Sequence, residues 1–157
     1  MRRSISIALV IILWLGLALR LAPLDQNRFL EDEALYAYWG LQIATGADPM
    51  LDREPVDKPP LLPYLLALSF IFLGRDETAA RIPNLVSSVT GIALIYALAR
   101  QYLLAARPPL LSSRRESEAG ALLAALLLAL SPFDLLFAST AFTDPLMTTL
   151  MLGALYT

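Results

Sequence analysis

Residues Pro59–Gly74 read PPLLPYLLALSFIFLG, and the fold turns on whether this apolar run crosses a bilayer or lies against one. It has sixteen residues, opens on two prolines and is closed by Arg75-Asp76-Glu77. A helix needs about twenty apolar residues to span the hydrocarbon core, so the run is short for a crossing. If it crossed, Asp32 and Lys58 would lie on one side of the membrane and Asp144 on the other. If it lies along the surface, residues 25–81 keep to one face, and Asp144 returns to that face after two further spans.

The rest of the chain supplies the frame. Of its 157 residues 57% are hydrophobic and the mean hydropathy is +0.61, where soluble domains hold about 45–50% apolar residues. Ile5–Leu24 is read as an uncleaved first span. A secretory signal peptide has a shorter apolar core and ends in a small-x-small site. Arg20, near the end of that run, is expected to snorkel toward the far interface. A second span is expected at 82–104, a polar loop at 105–118, and a third span at 119–142, interrupted by Pro132 and Asp134. A further helix starts at 145. Its thirteen residues, 145–157, cannot span, so the chain is read as the N-terminal part of a longer protein. The fold class expected is all-α, a polytopic membrane helical bundle. Small residues in the third span (Ala119, Gly120, Ala121, Ala124, Ala125, Ala129) permit close helix packing.

Charge favours the surface reading of 59–74. Residues 25–81 hold ten of the fourteen acidic residues against five basic ones. With 59–74 on the surface, Arg2, Arg3, Arg107, Arg114 and Arg115 share the other side, as the positive-inside rule asks. The N-terminus is then cytoplasmic, and 25–81 is an extracytoplasmic loop of the plasma (inner) membrane. Glu31–Thr45 reads as a helix opened by acidic residues and closed by Gly46. Its Tyr36, Tyr38 and Trp39 suit the membrane boundary, and a helix lying in that boundary is expected. The chain has no His and no Cys. Disulfides, thiol nucleophiles and His-based triads are excluded within it. No basic stripe marks a nucleic-acid surface.

Three acidic groups stand just before apolar helices: Glu31-Asp32-Glu33, Asp57-Lys58-Pro59 and Thr143-Asp144-Pro145. Taken singly, each is more readily a helix cap than a catalyst, since Asp favours N-caps, Pro favours the first turn, and carboxylates suit the positive helix end. Taken together on one face, they suit a general base or a divalent-cation site beside a cation for phosphate. Asp134, two residues after Pro132, is costly at membrane depth unless paired or near water; no catalytic role is assigned to it.

Asp32-Glu33-Ala34-Leu35-Tyr36-Ala37 resembles the acidic motif in the first extracytoplasmic loop of GT-C glycosyltransferases, in the protein O-mannosyltransferase and aminoarabinose-transferase branch. Asp57-Lys58-Pro59-Pro60-Leu61 resembles that branch's acid-Lys-Pro-Pro-Leu element. Gly74–Arg81 resembles the turn to its next span, and Thr143-Asp144-Pro145-Leu146 the acidic residue of its second loop. The resemblance implies transfer of a sugar from a polyprenyl-phosphate donor to a protein, lipid or glycan acceptor. It implies Asp32 as catalytic carboxylate, Glu33 as its acidic neighbour, and Asp144 as the supporting second-loop acid. Lys58 would face the donor phosphate. Electrostatic stabilisation of the charge growing on that phosphate is expected from Lys58 and Arg81, or from a bound cation. Asp57 matches a position tied to a divalent metal in some members. Such members also use a His, which this chain lacks. A membrane transporter or lipid flippase is the rival expectation, although such proteins place ionisable residues and broken helices near the midplane.

Overall fold

The computed structural model describes residues 2–24, 28–53, 56–106 and 113–157. The side chains of Arg2 and Arg3, and the whole of Asp25, Pro55 and Arg107, lie outside the described residues. The charge argument that uses Arg2, Arg3 and Arg107 therefore has no structural counterpart.

Among the described residues every regular element is a helix. A helix satisfies its own backbone, which is what an apolar run in lipid requires. The order is α1 (Arg2–Leu21), α2 (Glu31–Thr45), α3 (Leu61–Leu73), α4 (Glu77–Ala106), α5 (Arg114–Ala129), α6 (Pro132–Ala138) and α7 (Asp144–Tyr156). Among the described residues two helices are long and apolar enough to cross a membrane, within Ser4–Leu21 and Glu77–Ala106. The pair α5 and α6 would make a third crossing, bent by 55° at its break. The bundle is thus an all-α membrane architecture.

Helix α3 has thirteen residues. At about 1.5 Å per residue it is roughly 20 Å long, well short of a hydrocarbon core about 30 Å thick. It packs mainly on α2 and also on α4. Gly40 lets α2 and α3 touch: a Cβ there would meet Leu66 Cβ at 2.7 Å and the Pro63 carbonyl at 3.2 Å. Tyr36, Trp39, Leu62, Leu66 and Phe70 fill the seam, together with Ala79, Ala80 and Ala141.

Helix α4 begins at Glu77, five residues before the expected span. The Asp76 carboxylate accepts from the Ala79 N–H at 2.7 Å, which caps that first turn. Pro83 lies one turn further on. Its missing N–H cannot reach the Ala79 carbonyl, and the Ser69 hydroxyl of α3 donates to that carbonyl instead, at 2.5 Å. A proline that would weaken an isolated helix thereby joins two.

The small residues of α5 line its inner face. Ala121, Ala125 and Ala129 are fully buried, and Ala125 and Ala129 meet Ile12 of α1 and Ile92 of α4. The spacing of four puts them one above another on one side of the helix.

Arg20 does not snorkel. It is 0% exposed and forms an ion pair with Asp134 of α6. Its Nε donates to Ser88 Oγ at 2.6 Å. Its terminal nitrogens donate to the Gly16 carbonyl at 2.8 Å, to the Ala129 carbonyl at 3.1 Å and to the Leu128 carbonyl at 3.3 Å. The open end of α5 and a carboxylate lie within its reach, so the side chain turns inward rather than toward the interface.

Candidate functional site

The site grows from the first turn of α2. Leu30 precedes it and has no polar side chain to cap it, so Glu33 reaches back and its Oε2 accepts from the Leu30 N–H at 3.0 Å. Asp32 stands in that same turn but caps nothing and is exposed. Among the described residues its carboxylate has no hydrogen bond or ion pair. The same holds for Asp144 at the start of α7, whose N-cap Thr143 makes no side-chain cap bond. The caps are made elsewhere, by Asp76, Ser113 and Ser131. Asp32 and Asp144 thus stand in first turns, where a carboxylate suits the positive helix end, without making a side-chain cap bond.

Glu33 points the other way. It is 1% exposed. Its Oε1 accepts from the Ala141 N–H at 2.8 Å and from Arg81 Nε at 3.5 Å. Arg81 in turn donates to the Leu24 carbonyl at 2.8 Å and lies 5.4 Å from the centre of the Phe29 ring. Both charges are buried and bound within the chain. Asn84, one turn beyond Arg81, donates to the Thr140 carbonyl at 2.8 Å and also to the Phe142 carbonyl. Two side chains, Glu33 of α2 and Asn84 of α4, thus hold the link between α6 and α7 by its backbone. Its next residues are Thr143 and Asp144.

The open side of the site is organised around Tyr36, one turn after Asp32. Its ring is buried, and it meets the Trp39 ring edge-on at 5.7 Å. Its hydroxyl feels Lys58, Asp32 and Asp57 and interacts with the Thr143 side chain. Burial, above all, raises that hydroxyl's pKa over its ordinary value of 10. The nearby carboxylates push the same way, while Lys58 and Thr143 oppose them. At neutral pH the phenol stays a neutral donor. Segments from three parts of the chain meet here: the first turn of α2, the Asp57-Lys58 pair and the start of α7. Asp32, Asp57 and Lys58 all act on this hydroxyl, and Thr143, the residue before Asp144, adjoins it.

Lys58 Nζ lies 3.7 Å from Asp57 Oδ2, and both side chains are largely exposed. Among the described residues no three Asp or Glu side chains stand close enough to hold a metal ion. Asp57, the expected metal ligand, has the Lys58 ammonium as its neighbour.

A cavity of about 830 Å³ opens beside the Glu33–Arg81 pair. Its lining includes Arg28, Glu33 and Arg81. The walls are apolar, from Pro23, Leu30 and the stretch running from Pro132 to Phe142. Nothing in the sequence marks Arg28 or the cavity. Asn84 sits in an apolar helix where a polar residue one turn from Arg81 is the only hint.

Residues 57–157 match the family described as dolichyl-phosphate-mannose-protein mannosyltransferase. No curated protein and no solved structure matches the chain.

Proposed function

This chain belongs to the dolichyl-phosphate-mannose-protein mannosyltransferase family, and from that membership we propose that the whole protein moves a sugar from a polyprenyl-phosphate donor to a protein, lipid or glycan acceptor at the extracytoplasmic face. The observation that carries the reading is the family match over residues 57–157, which takes in the exposed Asp57–Lys58 pair and Asp144. Asp32, Asp57 and Lys58 all act electrostatically on the Tyr36 hydroxyl, which supports their use as one site.

The chemistry needs little more. The acceptor oxygen attacks the anomeric carbon, the bond from that carbon to the phosphate oxygen breaks, and the acceptor proton must leave. Asp32 is exposed and unbonded, so it takes the proton as general base. Lys58, half exposed in its loose pair with Asp57, neutralises charge growing on the departing phosphate. Asp144 supports the same pocket from the second loop. Glu33 and Arg81 spend their charges on Leu24, Leu30 and Ala141, so their part is to hold the two loops together. The cavity beside them, apolar along α6 and cationic at Arg28, takes the donor's prenyl chain.

The test is transfer by the full-length protein in membranes supplied with polyprenyl-phosphate sugars, mannose first. Asp32→Asn is expected to lower turnover by about 10²–10⁴; near-normal turnover would remove Asp32 from the mechanism. A glycosylation tag or a cysteine at Leu110 checks the face. If residue 110 is reached from outside, Asp32 and Asp144 do not share the extracytoplasmic face and the one-site reading fails.

A further inference from the structure

We infer that Arg20 and Asp134 are positioning residues, whose buried pair sets the bend between α5 and α6 and so the wall of the lipid-chain cavity. The inference rests on the proposed use of that cavity. Helix α5 stops at Ala129 and α6 starts at Pro132, at 55° to it. A helix end leaves carbonyls without intrahelical partners. Arg20 donates to two of the last, those of Leu128 and Ala129. On the other side of the break, Ser131 Oγ accepts from the Asp134 N–H at 3.4 Å and starts α6. The Asp134 carboxylate takes both Arg20 and Ser88. One guanidinium therefore grips both sides of the bend. Ser88 fastens it to α4, and the Gly16 carbonyl fastens it to α1.

The residue type matters. Arg offers five N–H donors in a rigid plane, whereas Lys offers a point charge with three. Five acceptors from four helices surround this side chain: Gly16, Ser88, Leu128, Ala129 and Asp134. A Cβ at position 16 would come within 3.2 Å of Arg20 Nη1 and 2.6 Å of Ile92, so the glycine leaves the room that the fork needs.

Neither Arg20 nor Asp134 lines the cavity, whereas Pro132, Leu135, Leu136 and Phe137 do. The pair acts on a bound lipid only through the direction of α6. A misplacement of about 1 Å from a distant change can cost about 10²-fold in rate, so the bend needs to be set firmly.

The test uses the full-length enzyme with the double variant Arg20→Met/Asp134→Leu, which strands no charge, and with Arg20→Lys. Spin labels at Ala119 and Phe133, both exposed, report the bend by their separation, with other cysteines removed. The double variant should broaden that distance distribution. In unlabelled enzyme it should raise KM for the lipid donor by about tenfold or more, within the 10²-fold range above, with a smaller change in kcat. Arg20→Lys should restore neither the narrow distribution nor the KM. A loss of folded protein alone would lower apparent kcat and leave KM untouched, which would overturn the positioning role. A wild-type distance distribution in the double variant overturns the inference whatever the activity. Altered distances in a protein whose wild type transfers no sugar would sink the transferase reading and leave the bend assignment standing.

Discussion

Two carboxylate–cation pairs in this chain live in opposite surroundings. Arg20 and Asp134 are sealed between four helices, and every donor on Arg20 that the fold can use has an acceptor. Asp57 and Lys58 stand in the open, 3.7 Å apart, with side chains 72% and 48% exposed. The buried pair cannot meet a ligand without breaking the fold. The open pair contributes little to the fold and is free to meet one. Glu33 and Arg81 belong with the first kind, although they lie beside Asp32 in sequence or in space. A charge whose bonds are all made holds structure, and a charge left unbonded at the surface is available for chemistry.

The largest effect expected from this contrast is on Asp134. Asp134→Leu alone leaves a buried guanidinium without its counter-charge, and breaking such a pair costs about 3–5 kcal/mol. Chemical unfolding in detergent should show that loss, while removing both partners together costs much less. Equal losses in the single and double variants would show that Arg20 is not held as a charge, and the contrast would collapse. A middle effect is expected at Glu33. Glu33→Gln keeps the size but has one acceptor oxygen where the carboxylate has two. The N–H groups of Leu30 and Ala141 cannot then both be satisfied, and a buried donor left unpaired costs about 1–3 kcal/mol. A fall in the thermal midpoint checks this. If Glu33→Gln left stability unchanged and abolished transfer, Glu33 would move to the chemical side of the comparison. A smaller loss, about 1 kcal/mol, is expected for Asp76→Ala, which removes the cap from α4 and should be measured the same way.

What the sequence could tell follows the same division. Apolar run length, the acidic opening of 31–33 and Gly46 are local signals, and they were enough to read helices in a membrane. Gly46 closes α2 with φ at 73°, a conformation that suits glycine. The run 59–74 was legible as too short because length is a local property. Arg20 was misread because its partner lies 114 residues away, and nothing in either neighbourhood names the other. Asp134 was marked as costly, yet what compensates it depends on where α1 ends in space. The ties on the second loop were invisible for another reason: Glu33 and Asn84 hold backbone atoms of residues 140–142, and a backbone group carries no signature in sequence. Helix α4 starts before the expected span because Asp76 caps its first turn and Ser69 takes up the carbonyl bond that Pro83 leaves open, and neither tie shows in apolar run length.

The smallest effect on stability should accompany a large one on turnover, at Lys58. Its pair with Asp57 is exposed, and such pairs contribute at most about 1 kcal/mol. Lys58→Met should therefore unfold within about that margin of the wild type. Its charge has another use if it faces a departing phosphate. Removing one group that stabilises charge in a transition state costs roughly 10²–10³ in kcat, and the loss should fall on kcat more than on KM. Lys58→Arg is the sharper variant: it keeps the charge but spreads it over a plane that the compact site was not shaped for, so partial recovery is expected. If Lys58→Met lowered stability by several kcal/mol, or transferred sugar at the wild-type rate, the open pair would be no different in kind from the sealed one, and exposure would no longer tell a catalytic charge from a structural one in this fold.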